Sequence, residues 1–109
     1  MKGMLEDLIR KFNARVASDP AFRSELGDIK KTVLIELKDG TKYHFTLQDQ
    51  KVASLVDGGV ENADITISTD AETLGALIRR EMGPFKAYAT GKIRLKGSLE
   101  DLARFRKFF

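Results

Sequence analysis

The sequence predicts an α+β domain, and three features carry the prediction. Apolar residues recur at helical spacing near both ends of the chain and again in the seventies. Between residues 32 and 69 the period switches to two, as in half-buried strands. The signals Asp39-Gly40 and Asp57-Gly58-Gly59 punctuate those alternating runs as turns. At 109 residues and 12.2 kDa the chain is one domain's worth, spanning 1–109.

In residues 4–17, Met4, Leu5, Leu8, Ile9, Phe12 and Val16 lie on one helical stripe. Asp19-Pro20 opens a second, short helix, with Asp19 as cap and Pro20 in the first turn; Gly27 ends it. Residues 32–38 alternate, with Val33, Ile35 and Leu37 on one face. Residues 41–48 place Tyr43, Phe45 and Leu47 inward and Lys42, His44 and Thr46 outward. A third run, residues 51–56, completes an antiparallel meander, and residues 64–69 supply a fourth strand with Ile65 and Ile67 on one face. Thr69 with Glu72 fits a capping box for a helix that carries Leu74, Leu77 and Ile78 to Met82, where Gly83-Pro84 breaks it. Phe85 and Tyr88 form the apolar side of one or two further turns. Gly91-Lys92-Ile93-Arg94-Leu95-Lys96-Gly97 alternates as a short strand, Ile93 and Leu95 inward. Ser98 then caps a last helix with Leu99, Leu102 and Phe105 on its stripe.

Charge is unevenly placed. Residues 1–78 carry 10 basic and 13 acidic side chains, and residues 79–109 carry 9 basic and 3 acidic, a local net of +6. That asymmetry points to an anionic partner for the basic end, nucleic acid or lipid headgroups, against the simpler reading of a solvated surface. The chain has no cysteine, which removes disulfides, thiolate metal sites and cysteine nucleophiles and fits a cytoplasmic setting. No apolar run approaches the roughly 20 residues that span a bilayer. The opening residues meet acids too early for a signal peptide.

Chemical motifs are few. Five residues separate Gly91 from Gly97, and Lys96 precedes the second glycine, so the phosphate-loop spacing is not met. Lys92, Arg94 and Lys96 could track a nucleic-acid backbone, but no helix-turn-helix, zinc finger or RNA-binding signature accompanies them, and nucleic acid is not favoured. His44 is the single histidine and reads as a structural strand residue. No nucleophile, metal-ligand or cofactor spacing appears, so the expectation is a protein that is not an enzyme and needs no cofactor.

The segments "ADITISTDAETLGALI" (residues 63–78) and "MGPFKAYATGKIRLKGSLEDLARF" (residues 82–105) resemble the sterol carrier protein (type 2) lipid-binding family. The Lys38-Asp39-Gly40 hairpin and the Asp57-Gly58 turn sit where that family keeps its meander turns. The resemblance is most specific over residues 63–102 and compositional over residues 1–30. It implies a five-stranded mixed sheet with helices packed on one face, enclosing an apolar cavity. It also implies a non-catalytic carrier for fatty acyl chains, acyl-CoA, sterol-like molecules or phospholipids. The residues expected to line the cavity are Leu77, Ile78, Met82, Phe85, Tyr88, Leu102 and Phe105. Lys86, Arg104, Arg106 and Lys107 are expected to meet a headgroup or an anionic membrane surface in transient contact. The family's last helix often runs into a tail that helps close the tunnel; here Phe108-Phe109 follows, and a homodimer burying them is an alternative to a monomer. Two other readings stand beside the carrier: a basic interaction module with a filled core, and an accessory domain of an enzyme.

Overall fold

A computed structural model describes residues 1–108, with side chains through residue 104. The N-terminal stripe forms α1, Lys2–Ser18, which buries Leu5, Ile9, Phe12 and Val16; Met4 and Leu8 are half-buried at its margin. Asp19 caps α2, Pro20–Leu26, its carboxylate accepting from the Phe22 N–H at 3.1 Å. Arg23 turns back onto the end of α1 and donates to the carbonyls of Val16 (3.2 Å) and Ala17 (2.9 Å), acceptors that a helix end leaves open. Phe12 and Phe22 meet edge to face, with centroids 5.6 Å apart, and lock the two helices together.

The strands are β1 (Lys31–Leu37), β2 (Lys42–Gln48), β3 (Lys51–Val52), β4 (Val56–Asp57), β5 (Ile65–Thr69) and β6 (Arg94–Lys96). They pair in the order β3-β2-β1-β5-β6, with β4 also on β2. β1 and β5 are parallel and the other pairs antiparallel, so the sheet is mixed, with five strand positions. The third position is broken rather than the continuous run expected over 51–56. β3 pairs with Leu47 and Gln48, β4 with Tyr43 and His44, and residues 53–55 leave the ladder. The Asn13 side chain donates to the Val52 carbonyl (2.7 Å) and accepts from its N–H (2.9 Å), so α1 itself satisfies the edge backbone there. At the other end of α1, Lys2 pairs with Asp57 at 2.6 Å.

One face of the sheet carries the core. Val33, Ile35, Leu37, Tyr43, Phe45, Leu47, Val52 and Ile65 pack against the buried residues of α1 and α2 and against Leu74. The opposite face presents Lys42, His44 and Thr46, as their alternation predicts, and its Leu34 is buried. Residues 58–64 pass from β4 to β5 across this second face. His44 Nδ1 meets the Gly58 carbonyl at 3.0 Å, and Leu34 lines a cleft there with Val60 and Ala63. The single histidine is therefore a structural tether, as the sequence suggests.

Three helices follow: α3 (Ala71–Ile78), α4 (Pro84–Ala89) and α5 (Leu99–Phe108). Asp70, not Thr69, caps α3, accepting from the backbone N–H of Thr73 at 2.6 Å and from its hydroxyl at 2.9 Å. Those two donors hold the Asp70 carboxyl below the ordinary value for an aspartate. Thr69 spends its hydroxyl on the Lys92 carbonyl (2.8 Å), 23 residues away. The helix also stops at Ile78 instead of running to Met82. Arg80 takes φ +61, its N–H bonds Leu77 O (3.1 Å), and the Glu81 N–H bonds Ala76 O (2.8 Å). This is a Schellman ending, with arginine where glycine is usual. α4 ends the same way on Gly91 (φ +75), with Lys92 N bonded to Ala87 O at 2.9 Å. Ser98 caps α5 as expected, accepting from Asp101 N at 3.0 Å.

Candidate functional site

The inner face of the sheet is sealed at one side and thinly covered at the other. Beneath α1 and α2, Val33 is 0% exposed and Leu47 and Val52 are each 1% exposed. At the β5–β6 side, Ile67 is only half-buried, and Leu95, directly opposite it in the ladder, is 38% exposed. Leu95 points to the inner face, as its alternation predicts, since its neighbours Arg94 and Lys96 pair with Ser68 and Thr66 on the other, yet it is exposed there. Ile93, two residues earlier, is buried.

The residues expected to line a cavity divide into three groups. Ile78 and Leu102, both half-buried, pack against the core cluster. Leu77 and Met82 are half-buried outside it. Phe85 (72% exposed) and Tyr88 (59% exposed) face solvent, contrary to the buried pattern read from their spacing; the residue that α4 buries is Ala87. Leu99, expected on the stripe of α5, is 87% exposed at the first position of that helix. The side chain of Phe105 lies outside the described residues. Ile67 and Leu95 were not among the expected lining residues, although their alternation already placed Ile67 on one face with Ile65 and Leu95 inward.

Of the expected headgroup contacts, Lys86 and Arg104 are exposed, and the side chains of Arg106 and Lys107 lie outside the described residues. α5 is tied to the sheet through Asp101, whose carboxylate meets Lys31 Nζ at 3.1 Å and is 14% exposed. Among the described residues no three His, Cys, Asp or Glu side chains come together as a metal site. No helix among them is long and apolar enough to cross a membrane. What the β5–β6 side and its helices offer chemically is aliphatic and thioether surface, suited to hydrocarbon rather than to a reacting group.

The SCP-2 sterol transfer family matches residues 9–109. The chain belongs to that family. The match takes in every element after the first two turns of α1. Solved structures of the same fold include the ubiquinone synthesis protein UbiJ-SCP2 (TM-score 0.68, 20% identity, covering 98% of this chain and 86% of that one). A palmitated SCP2L2 from Aedes aegypti aligns with TM-score 0.61 and 21% identity, covering 94% of this chain and 90% of that one. A stereoselective inverting sec-alkylsulfatase from Pseudomonas sp. aligns with TM-score 0.60 and 20% identity, covering 72% of this chain but only 12% of the enzyme. No curated protein matches the chain. The family's α+β mixed sheet is thus the fold found here.

Proposed function

We propose that this protein is a non-catalytic lipid carrier that holds an acyl chain between the β5–β6 side of the sheet and the helices α3 to α5. The supporting observation is the uneven cover of the inner face in a chain of the SCP-2 family: Leu95 is exposed, Ile67 opposite it is half-buried, and Leu77, Ile78, Met82 and Leu102 further along the chain are also only half-buried. An acyl chain laid there gains roughly 0.8 kcal/mol for each CH₂ taken from water. Ordering the chain and losing its free motion offset part of that gain. Met82, flexible and polarisable, lets the wall accommodate chains of different shape. Lys86 and Arg104, both exposed, meet a carboxylate or phosphate head at the mouth. That a relative of this fold is described as palmitated supports an acyl ligand.

A fluorescent fatty acid titrated into the protein should bind saturably at micromolar concentration, and acyl-CoA should displace it. Leu77→Asp, which puts a charge into the wall, should weaken binding roughly tenfold or more. Absence of saturable binding by the unaltered protein, together with no lipid in native mass spectra of purified material, rejects the carrier. A second reading, an accessory domain that presents lipid to a separate catalytic chain, is favoured by the recurrence of the fold as 12% of an alkylsulfatase. It is distinguished by activity that appears only when that catalytic chain is added.

A further inference from the structure

The face of the sheet turned away from α1 and α2 holds a cleft that the acyl site does not use. It measures about 610 Å³ and lies between strands β1, β5 and β6 and residues 60–64. Leu34 and Thr66, side by side in the β1–β5 register, both line it, and Lys96 stands across the ladder from Thr66 at one end. Val60 and Ala63 line it from the loop, and Glu36 lies two residues along β1 from Leu34.

The loop that forms one wall is fastened at both ends. Gly58 donates its N–H to the Lys42 carbonyl (2.8 Å), and its own carbonyl meets His44 Nδ1 (3.0 Å). Asp64 donates its N–H to the Thr32 carbonyl (2.9 Å), and its carboxylate accepts from the Thr32 N–H (2.8 Å). Gly97 completes the wall beside β5. A Cβ there would stand 2.8 Å from the Asp64 carbonyl oxygen, so the two backbones approach this closely only with glycine. The cleft is thus formed by anchored backbone, and a ligand need not order it.

Its middle is apolar and its ends are charged. Leu34 is buried on a face where its ladder partners, His44 and Thr66, are polar, and with Val60 and Ala63 it gives an aliphatic patch. The acids nearby are already engaged: Glu36 pairs with Lys42 at 3.7 Å, and Asp64 is held by Thr32. Lys96 meets no acid among the described residues, and neither does Arg94, two residues along the same face. The unanswered charge is therefore positive, at one end of the aliphatic patch and across from the Thr66 hydroxyl. A compact organic acid matches this arrangement, its carboxylate on Lys96 and Thr66 and its body across Leu34, Val60 and Ala63.

We infer that this outer cleft is a second binding site, for a small apolar carboxylic acid. It stands without the carrier reading, since the sheet separates it from the inner face. The probe is phenylacetate, followed by amide NMR of the full chain with and without palmitate. Val60, Ala63 and Lys96 should shift saturably in both cases. Lys96→Gln should weaken phenylacetate roughly fivefold, the scale of a charge-assisted hydrogen bond at a partly exposed site. Phenylacetamide, which keeps the body and loses the charge, should bind more weakly by a similar factor. Ala63→Leu, which fills the cleft, should remove the shifts while palmitate binding persists.

No saturable shift up to about 10 mM phenylacetate overturns the inference. So do shifts confined to Ile67 and Leu95 on the inner face, or a Lys96→Gln variant that binds as well as the unaltered chain. Equal or tighter binding of the cation phenethylamine would hand the cleft to its carboxylates and overturn it too. Failure of palmitate to bind, with the phenylacetate shifts intact, would count against the carrier alone.

Discussion

The two ends of this domain use apolar residues in opposite ways. From α1 to β3, together with β5, nearly every apolar side chain on the inner face is sealed, with Leu26, Leu47, Ile65, Val33 and Val52 the most completely buried. Between Arg79 and Arg104 only Ala87 and Ile93 are buried, and the large apolar side chains Phe85, Tyr88, Leu95 and Leu99 are exposed. The first region is explained by folding alone. In the second, large apolar side chains stay exposed in the folded domain, and the carrier reading draws on that region.

Mutations can break that contrast or sharpen it. Leu47→Ala, in the sealed region, should cost about 3 kcal/mol by opening a cavity beneath α1, seen as a lowered midpoint in urea. Gly97→Ala tests the seam between the regions. Gly97 has φ +156, and a Cβ there would lie 2.8 Å from the Asp64 carbonyl oxygen. The substitution should cost about 2 kcal/mol and loosen β6 from β5, read by faster amide exchange at Ile67.

Asp70→Ala should cost about 1 kcal/mol through loss of the α3 cap. Because the folded Asp70 carboxyl titrates below its ordinary value, its contribution is present above about pH 4 and fades as pH falls through the lowered value. The difference between the unaltered protein and Asp70→Ala should therefore narrow on acidification. Arg80→Gly should stabilise, by about 0.5–1 kcal/mol, since glycine takes the left-handed position without strain. Smallest of all, Leu99→Ala should change the unfolding midpoint by less than about 0.5 kcal/mol. An effect as large as that of Leu47→Ala would mean that Leu99 is covered in solution.

Much of the sealed region was legible in the sequence because its signals are local. The 3.6-residue stripe of Leu5, Ile9, Phe12 and Val16, the Asp19-Pro20 start and the Asp39-Gly40 hairpin each act within a few residues. The misread features are those decided by distant or unusual partners. Thr69 looked like a cap, but its hydroxyl is taken by Lys92 across the β5–β6 corner. The end of α3 was assigned to Gly83 because the left-handed residue is Arg80, a type that carries no such signal. Phe85 and Tyr88 share an i, i+3 spacing that reads as a core face whichever way the helix is turned; only the burial of Ala87 fixes the rotation. Near the candidate site, the apolar stripe positions of Ile78 and Leu102, which pack against the core, were legible from periodicity, whereas the exposure of Leu95 depends on β6 being the last strand of the sheet.

The central strand β1 carries a consequence for how the chain assembles. Its antiparallel partner β2 arrives through a tight turn, on the microsecond scale of hairpins. Its parallel partner β5 lies 32 residues further on at the register Val33–Ile65 and must await a much longer closure. β6 pairs only with β5, so the ladder that carries Leu95 joins the rest of the sheet only through that closure. The proposed acyl site is then complete only once that long closure has been made. A ligand at that site would sit beside the seam between β1 and β5, away from the hairpin and the helices sealed against it.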